Sequence, residues 1–439
     1  MASIILGMVV GVCSVSQAQV GGGGMGGAMP NAPGTAFGGA TDPSAIQTIS
    51  GLRIIPSIQI SEIYDSNVFF APKNQLQGLT PSDVVTTVMP QIRGLYADHK
   101  KLVKVNATVG AVGSYFVNNT GLSYVGANVG MGLDMSDLLS QWRPGTRLTA
   151  FNSFLYSPQP PAFLIGDQSG EQANPLVAGF QAARTKTNSN AFNTILELPL
   201  NSTIKVTGSY TNSFIHYGAS QVPRAATLID QNVQTYTAGF SMQTSFQDTI
   251  RIDFIGSNFD QGGLGAFRTR GAALGWIHRL SSTVSFTATG GVQELSGESN
   301  GVRLSSVVAP VGSLAVLWKD PTTSIALTYR SGITSSFQFQ SAALLSHSVS
   351  FSMTQNTPIR DVVGLLGANY SVANTYGPHS GGALSWATVG GTAGLLYRAT
   401  QKTFLTLVYN YQNVDNVFGG THFAYDKHVV QLSLSQAFY

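Results

Sequence analysis

From about Gly51 to Tyr439 the chain repeats one pattern. Apolar and small polar residues alternate with period two for roughly ten residues, and a turn signal follows. Such alternation sends successive side chains to opposite faces of a strand. Leu52, Ile54, Ile58 and Ile60 share one face, and Arg53, Ser57, Gln59 and Ser61 the other. Val103, Val105, Ala107, Val109 and Tyr115 likewise oppose Lys104, Asn106, Thr108 and Ser114. Ile204, Val206 and Tyr210 oppose Lys205, Thr207, Ser209 and Thr211, and Leu405, Leu407, Tyr409 and Tyr411 oppose Thr406, Asn410 and Gln412. Strands of soluble sheets average about 5–6 residues. These run about twice that, which suits the 9–11 residues of a tilted membrane-spanning strand.

The connections alternate in length as well. Short ones are expected near 97–100, 201–202, 246–248, 281–282, 320–321, 358–360 and 400–401. Longer ones are expected near 65–82, 158–185, 217–230, 258–267, 294–302, 331–340, 375–382 and 414–423. Short turns at one end and long loops at the other describe a transmembrane antiparallel up-and-down β-barrel, an all-β fold. The count is about 18 strands, with 16 as the alternative, since bacterial barrels of this kind take even numbers. Such a barrel occupies residues 50–439 in this reading.

Composition narrows the classes further. Charged residues are 10% of the chain, against roughly a quarter in a soluble domain. Lys and Arg total 23 against 20 Asp and Glu, so no basic excess exists to neutralise nucleic-acid phosphates. No stretch beyond the N-terminus has the roughly 20 apolar residues of a spanning helix. Residues 4–13 form a short apolar core, and Ser16-Gln17-Ala18 offers a cleavage site, so residues 1–18 read as a secretory signal peptide. No Lys or Arg precedes that core, which leaves a start upstream of Met1 as an alternative. Cys13 is the only cysteine; after cleavage the protein needs no disulfide. Residues 19–49, rich in Gly, Ala and Pro, read as a flexible periplasmic segment.

The C-terminus fits a final barrel strand. Val430, Leu432, Leu434 and Phe438 share a face and Tyr439 follows, as in the signal that the outer-membrane assembly machinery reads. Tyr96, Tyr115, Phe154, Tyr156, Trp276, Trp318, Tyr329, Tyr370 and Tyr397 fall near strand ends, as aromatic girdles do; ordinary β propensity enriches the same residues.

The segment Ser61-Glu62-Ile63-Tyr64-Asp65-Ser66-Asn67-Val68-Phe69, with Ser82-Asp83-Val84-Val85 and Pro90 in the following strand, resembles the start of the outer-membrane β-barrel porin family sometimes linked to capsule or exopolysaccharide export. The match covers the first two strands, with Tyr64, Asp65, Asn67 and Phe69 at the motif positions. It implies a porin-like barrel. The residues also carry a local reading: Asp65 and Asn67 can accept backbone N–H bonds and turn the chain, while Phe69 and Phe70 anchor the loop at the rim or plug inward.

No nucleophile elbow, zinc-binding helix or phosphate loop is present, and the reading calls for no enzyme activity, cofactor or metal. His347 lies among outward-facing residues. Asn413-Val414-Asp415-Asn416 and Asn258-Phe259-Asp260-Gln261, in expected external loops, each carry one carboxylate and read as turns before they read as Ca²⁺ sites. A basic set is more informative. Arg53, Arg93, Lys104, Arg147, Lys205, Arg251, Arg279, Arg398 and Lys402 fall near periplasmic strand ends. By alternation Arg53, Arg93, Lys104, Lys205 and Arg251 point into the lumen, with Asp253 beside Arg251. A ring of cations in a pore favours anions.

The expectation is a bacterial outer-membrane porin passing small hydrophilic solutes, anions among them, by passive diffusion. Its partners are outer-membrane lipids and the barrel-assembly machinery, with no nucleic acid, and a homo-oligomer is compatible with it. Three alternatives stay open: a barrel for polysaccharide export or anchoring, a structural or adhesive barrel plugged by the 158–185 loop, and an outer-membrane enzyme whose reacting residues, far apart in sequence, meet at the rim.

Overall fold

The computed structural model describes residues 51–69, 80–100, 102–157, 185–220, 230–260, 265–299, 302–335, 343–376, 384–418 and 421–438, with Pro72 and Leu76. The expected signal peptide, the Gly-rich segment, the 158–184 stretch and Tyr439 lie outside these residues. Eighteen strands follow in chain order. They are β1 (Gly51–Asp65), β2 (Asp83–Ala97), β3 (Lys104–Phe116), β4 (Tyr124–Asp134), β5 (Arg147–Ser157), β6 (Thr185–Pro199), β7 (Ile204–Ser220), β8 (Gln231–Gln243) and β9 (Asp248–Asp260). The second half comprises β10 (Gly265–Arg279), β11 (Val284–Ser299), β12 (Val302–Lys319), β13 (Thr323–Ser335), β14 (Ala343–Asn356), β15 (Val362–Thr375), β16 (Leu384–Arg398), β17 (Thr403–Phe418) and β18 (Thr421–Ala437).

Each strand pairs antiparallel with its sequence neighbours, and β18 returns to β1 from Ser57↔Ala437 to Asp65↔Val429. The sheet is therefore a closed up-and-down barrel of 18 strands. Closure removes free edges from the wall.

The two faces differ in chemistry. Leu52, Ile54 and Ile60 of β1, Ile252 and Phe254 of β9, and Leu432 and Leu434 of β18 are exposed on the outer face. Gln59, Ser61, Thr108, Thr211, Thr237, Thr406 and Ser433 are buried on the inner face. This inverts a soluble protein: the outer belt is apolar and the interior polar, the arrangement that hydrocarbon requires.

Asp, Asn and Ser side chains set the short turns. Asp98 accepts from Val103 N (2.9 Å), Asn201 from Ile204 N (2.7 Å) and Asp320 from Thr322 N and Thr323 N (2.7 Å each). Those backbone bonds hold Asp98 and Asp320 below the usual carboxylate range.

Three expected long loops are mostly strand. β9 runs to Asp260 and β10 begins at Gly265, β11 and β12 flank 300–301, and β17 and β18 flank 419–420. The alternation continues past the apolar belt, so these hairpins stand above it. Asp415, exposed outside, and Asn416, buried inside, are on opposite faces of β17, and Asn258 and Asp260 lie in β9, so both segments are strand where turns were expected. No metal-holding group of His, Cys, Asp and Glu occurs among the described residues. A connection at 135–146 was not foreseen. It holds the short helix α1 (Ser136–Ser140) and a turn at Gly145, whose φ of +83° suits glycine.

Candidate functional site: the lumen

The inner wall is polar for most of its area, and its cations concentrate at the short-turn end. Lys104 and Arg147 open β3 and β5, Lys205 is second in β7, Arg53 third in β1 and Arg251 fourth in β9. Arg279, Lys319 and Arg398 close β10, β12 and β16, and Arg93 lies near the end of β2. All take inward positions in the alternation of their strands. Further along the inner wall are Arg330 on β13 and Lys427 on β18.

Some of these charges are balanced locally. Arg251 Nη2 donates to Asp253 Oδ1 (2.8 Å) and Oδ2 (3.0 Å), and both side chains are buried. Lys104 Nζ is 2.8 Å from Asp137 of α1 and 3.9 Å from Asp134. Arg147 stands opposite Glu197 in the β5–β6 register, and Arg398 pairs with Asp361 in the turn before β15. Among the described residues no ion pair is formed by Lys205, Arg279 or Lys319. The balance at this mouth is positive, and low-dielectric walls focus such a field along the axis.

The motif that opens the family resemblance sits at the opposite mouth. Tyr64 is outside, exposed. Asp65 is buried; its Oδ1 accepts from Asn67 N (2.9 Å) and its Oδ2 from Lys427 Nζ (2.7 Å). Lys427 also donates to Asn67 O (3.2 Å). The turn thus delivers Val68 and Phe69 into the barrel. They join Leu76, Val85 and Phe116 in an apolar knot, with Ile63, Leu122 and Tyr124 against it. Phe70 lies outside the described residues. Next to the knot, buried Asp83 accepts from Val84 N, Asn118 N, Asn119 N and Asn119 Nδ2 at 2.8–2.9 Å, holding the 117–123 connection down.

Sequence reasoning missed Lys319, Arg330 and Lys427 on the inner wall, although the same alternation marks them. It also missed the partner of Asp65, for which no local signal exists. On the outer face, Tyr329 Oη is 3.0 Å from His347 Nδ1 and Tyr409 Oη 2.9 Å from His428 Nδ1. Phe438, the described member of the C-terminal pair, is exposed and donates its N–H to Pro56 O at 2.8 Å.

No family model matches this chain, and no curated protein matches it. Among solved structures it is similar to OpdO of Pseudomonas aeruginosa, at 9% identity and a TM-score of 0.46, covering 88% of this chain and 98% of that one. It is similar to OccAB2 of Acinetobacter baumannii, at 11% identity and a TM-score of 0.45, covering 88% and 98%. It is also similar to a BenF-like porin from Pseudomonas fluorescens, at 9% identity and a TM-score of 0.46, covering 88% and 99%.

Proposed function

We propose that this protein is an outer-membrane porin-like channel that passes small hydrophilic solutes by passive diffusion and prefers anions. The observation that carries the reading is the lumen's charge: Lys205, Arg279 and Lys319 add to the locally balanced cations around one mouth. An 18-stranded barrel is wide enough for an aqueous path, and a polar inner wall hydrates it. The apolar belt then faces lipid, the short turns face the periplasm and the long loops face outward. Phe438 on the outer face of the last strand supports recognition by the assembly machinery. The chemistry is that of a channel and calls for no reacting group.

The test is single-channel recording from the refolded protein in a planar bilayer under a salt gradient. Steady openings with a reversal potential of anion-selective sign are expected. A cation-selective value overturns the basic-mouth reading, and a silent but folded barrel overturns the channel.

A further inference from the structure

The apolar belt is interrupted in one sector. β5 has 11 residues, the length of a single crossing, and its central residue is Asn152. The register sets Asn152 opposite Met131 of β4 and Phe192 of β6. Met131 is exposed on the outer face, and residues directly opposite in a ladder share a face, so Asn152 takes an outward position too. Asn190 of β6 stands opposite Phe154 and the exposed, outward Phe214. Elsewhere the belt is apolar: Val109, Leu274, Leu366, Leu407 and Leu432 are exposed at outward positions of their strands.

The two amides hold each other. Asn152 Nδ2 donates to Asn190 Oδ1 and Asn190 Nδ2 to Asn152 Oδ1, both at 3.1 Å. A carboxamide carries two N–H donors and two acceptor lone pairs. The reciprocal pair uses one of each, and among the described residues neither amide makes another hydrogen bond. One N–H and one lone pair of each amide are left to the hydrocarbon, which offers no partner. Asn212 of β7, opposite Phe192, adds a third amide, and its bond to Tyr210 Oη is long, at 3.5 Å. Ala150, the next outward residue below Asn152, and Gly208, opposite Leu196, are small, so another wall can come close here.

We propose that the outer face of β5–β7 is where a second copy of this chain packs, across a two-fold axis along the membrane normal. The chemistry of the patch selects that occupant. An amide is donor and acceptor at once, so the patch is complementary to itself, as a two-fold contact requires. An axis along the normal keeps both barrels the same way up and preserves depth, so amide meets amide in the middle of the belt. The three amides are uncharged, and two copies of the patch meet without repulsion. Lipid tails satisfy none of the leftover donors and acceptors, whereas the second copy satisfies them in kind.

The test counts copies in a membrane. The full chain, in a Cys13→Ser background, carries one fluorophore at Ser282→Cys in the short turn after β10. It is refolded, checked by heat-modifiable gel mobility and placed at low density in a supported phosphatidylcholine bilayer. Two bleaching steps per diffusing spot are expected. Asn152→Leu with Asn190→Leu should lower the two-step fraction by about tenfold while the barrel stays folded. If that variant misfolds, Ala150→Trp, which keeps the amide pair and blocks close approach, replaces it. Oxidation gives a second reading: Ala150→Cys should cross-link into dimers, whereas Leu366→Cys on the opposite wall should not. One step or three steps per spot overturns the two-fold contact. So does equal cross-linking at 150 and 366, or a two-step fraction that survives the substitutions.

Discussion

Lys427 and Asp65 are 362 positions apart in sequence, and their side chains meet at 2.7 Å on the inner side of the β1–β18 junction. Both are almost completely buried, at 3% and 5% side-chain exposure. Removing one partner of a buried pair leaves an uncompensated charge, at a cost of about 3–5 kcal/mol. Lys427→Met should therefore lower the temperature at which the folded band is lost in detergent gels. Lys427→Met combined with Asp65→Asn should recover much of the loss. Equal loss in the single and double variants would show that the pair adds nothing to closure.

The lumen charges predict graded effects on selectivity. Lys205→Gln removes one cation and should lower the anion-to-cation permeability ratio by a factor of roughly two. Arg251→Gln should lower it further, because it also leaves the Asp253 carboxylate, 2.8 Å away, without its cation. Reversal potentials under a fixed salt gradient read both effects, and an Arg251 variant with the smaller shift contradicts the argument.

Gly239 tests the same pair from the neighbouring strand. A Cβ there would overlap Asp253 Oδ1 and lie 2.8 Å from Ile252 O. Gly239→Ala should push Asp253 off Arg251 and destabilise the barrel, while Gly130→Ala, with open space at its Cβ, should not. Urea unfolding followed by tryptophan fluorescence compares the two.

Asp248 opens β9 at a short turn, below the apolar belt that begins at Ile250. It accepts from His278 Nδ1 (2.8 Å), Ser245 Oγ (2.7 Å) and Trp276 Nε1 (2.9 Å). These bonds, that of His278 foremost, lower its pKa to about 2. A lowered folded-state pKa means that the carboxylate stabilises the fold above its unfolded value of about 3.9 and ceases to do so as pH falls through about 2. The stability difference between the natural chain and Asp248→Asn should be constant above pH ~4 and shrink between there and about pH 2. A difference that persists at the acid end would mean another group is responsible.

The apolar knot of Val68, Phe69, Leu76, Val85 and Phe116 sits on the inner side of one mouth. Phe69→Ser should loosen the 66–82 connection from Val85 and Phe116 and raise single-channel conductance. Unchanged conductance would place the narrowest point elsewhere.

Much of the barrel is legible in the chain because lipid outside and water inside impose period two on nearly every strand. Leu52 to Ser61 alone shows which residues face which way. The strand ends at 294–299 and 414–418 escaped because Gly297, Asp415 and Asn416 look like loop residues, although β11 and β17 run through them. The 135–146 connection escaped although Pro144-Gly145 is a turn signal. The link from Asp65 to Lys427 is not legible at all, since it depends on which strands become neighbours at closure.

That closure has a consequence for synthesis. β1 is the first strand to emerge and its wall partner, β18, is the last, so no incomplete chain can satisfy both of its open edges. Those edges are templates for pairing with other chains, and joining them bears the entropy of the longest loop in the molecule. A chain cut short before Gln431–Ala437 therefore leaves one edge of β1 open from Ser57 to Ile63, where the closed barrel pairs it.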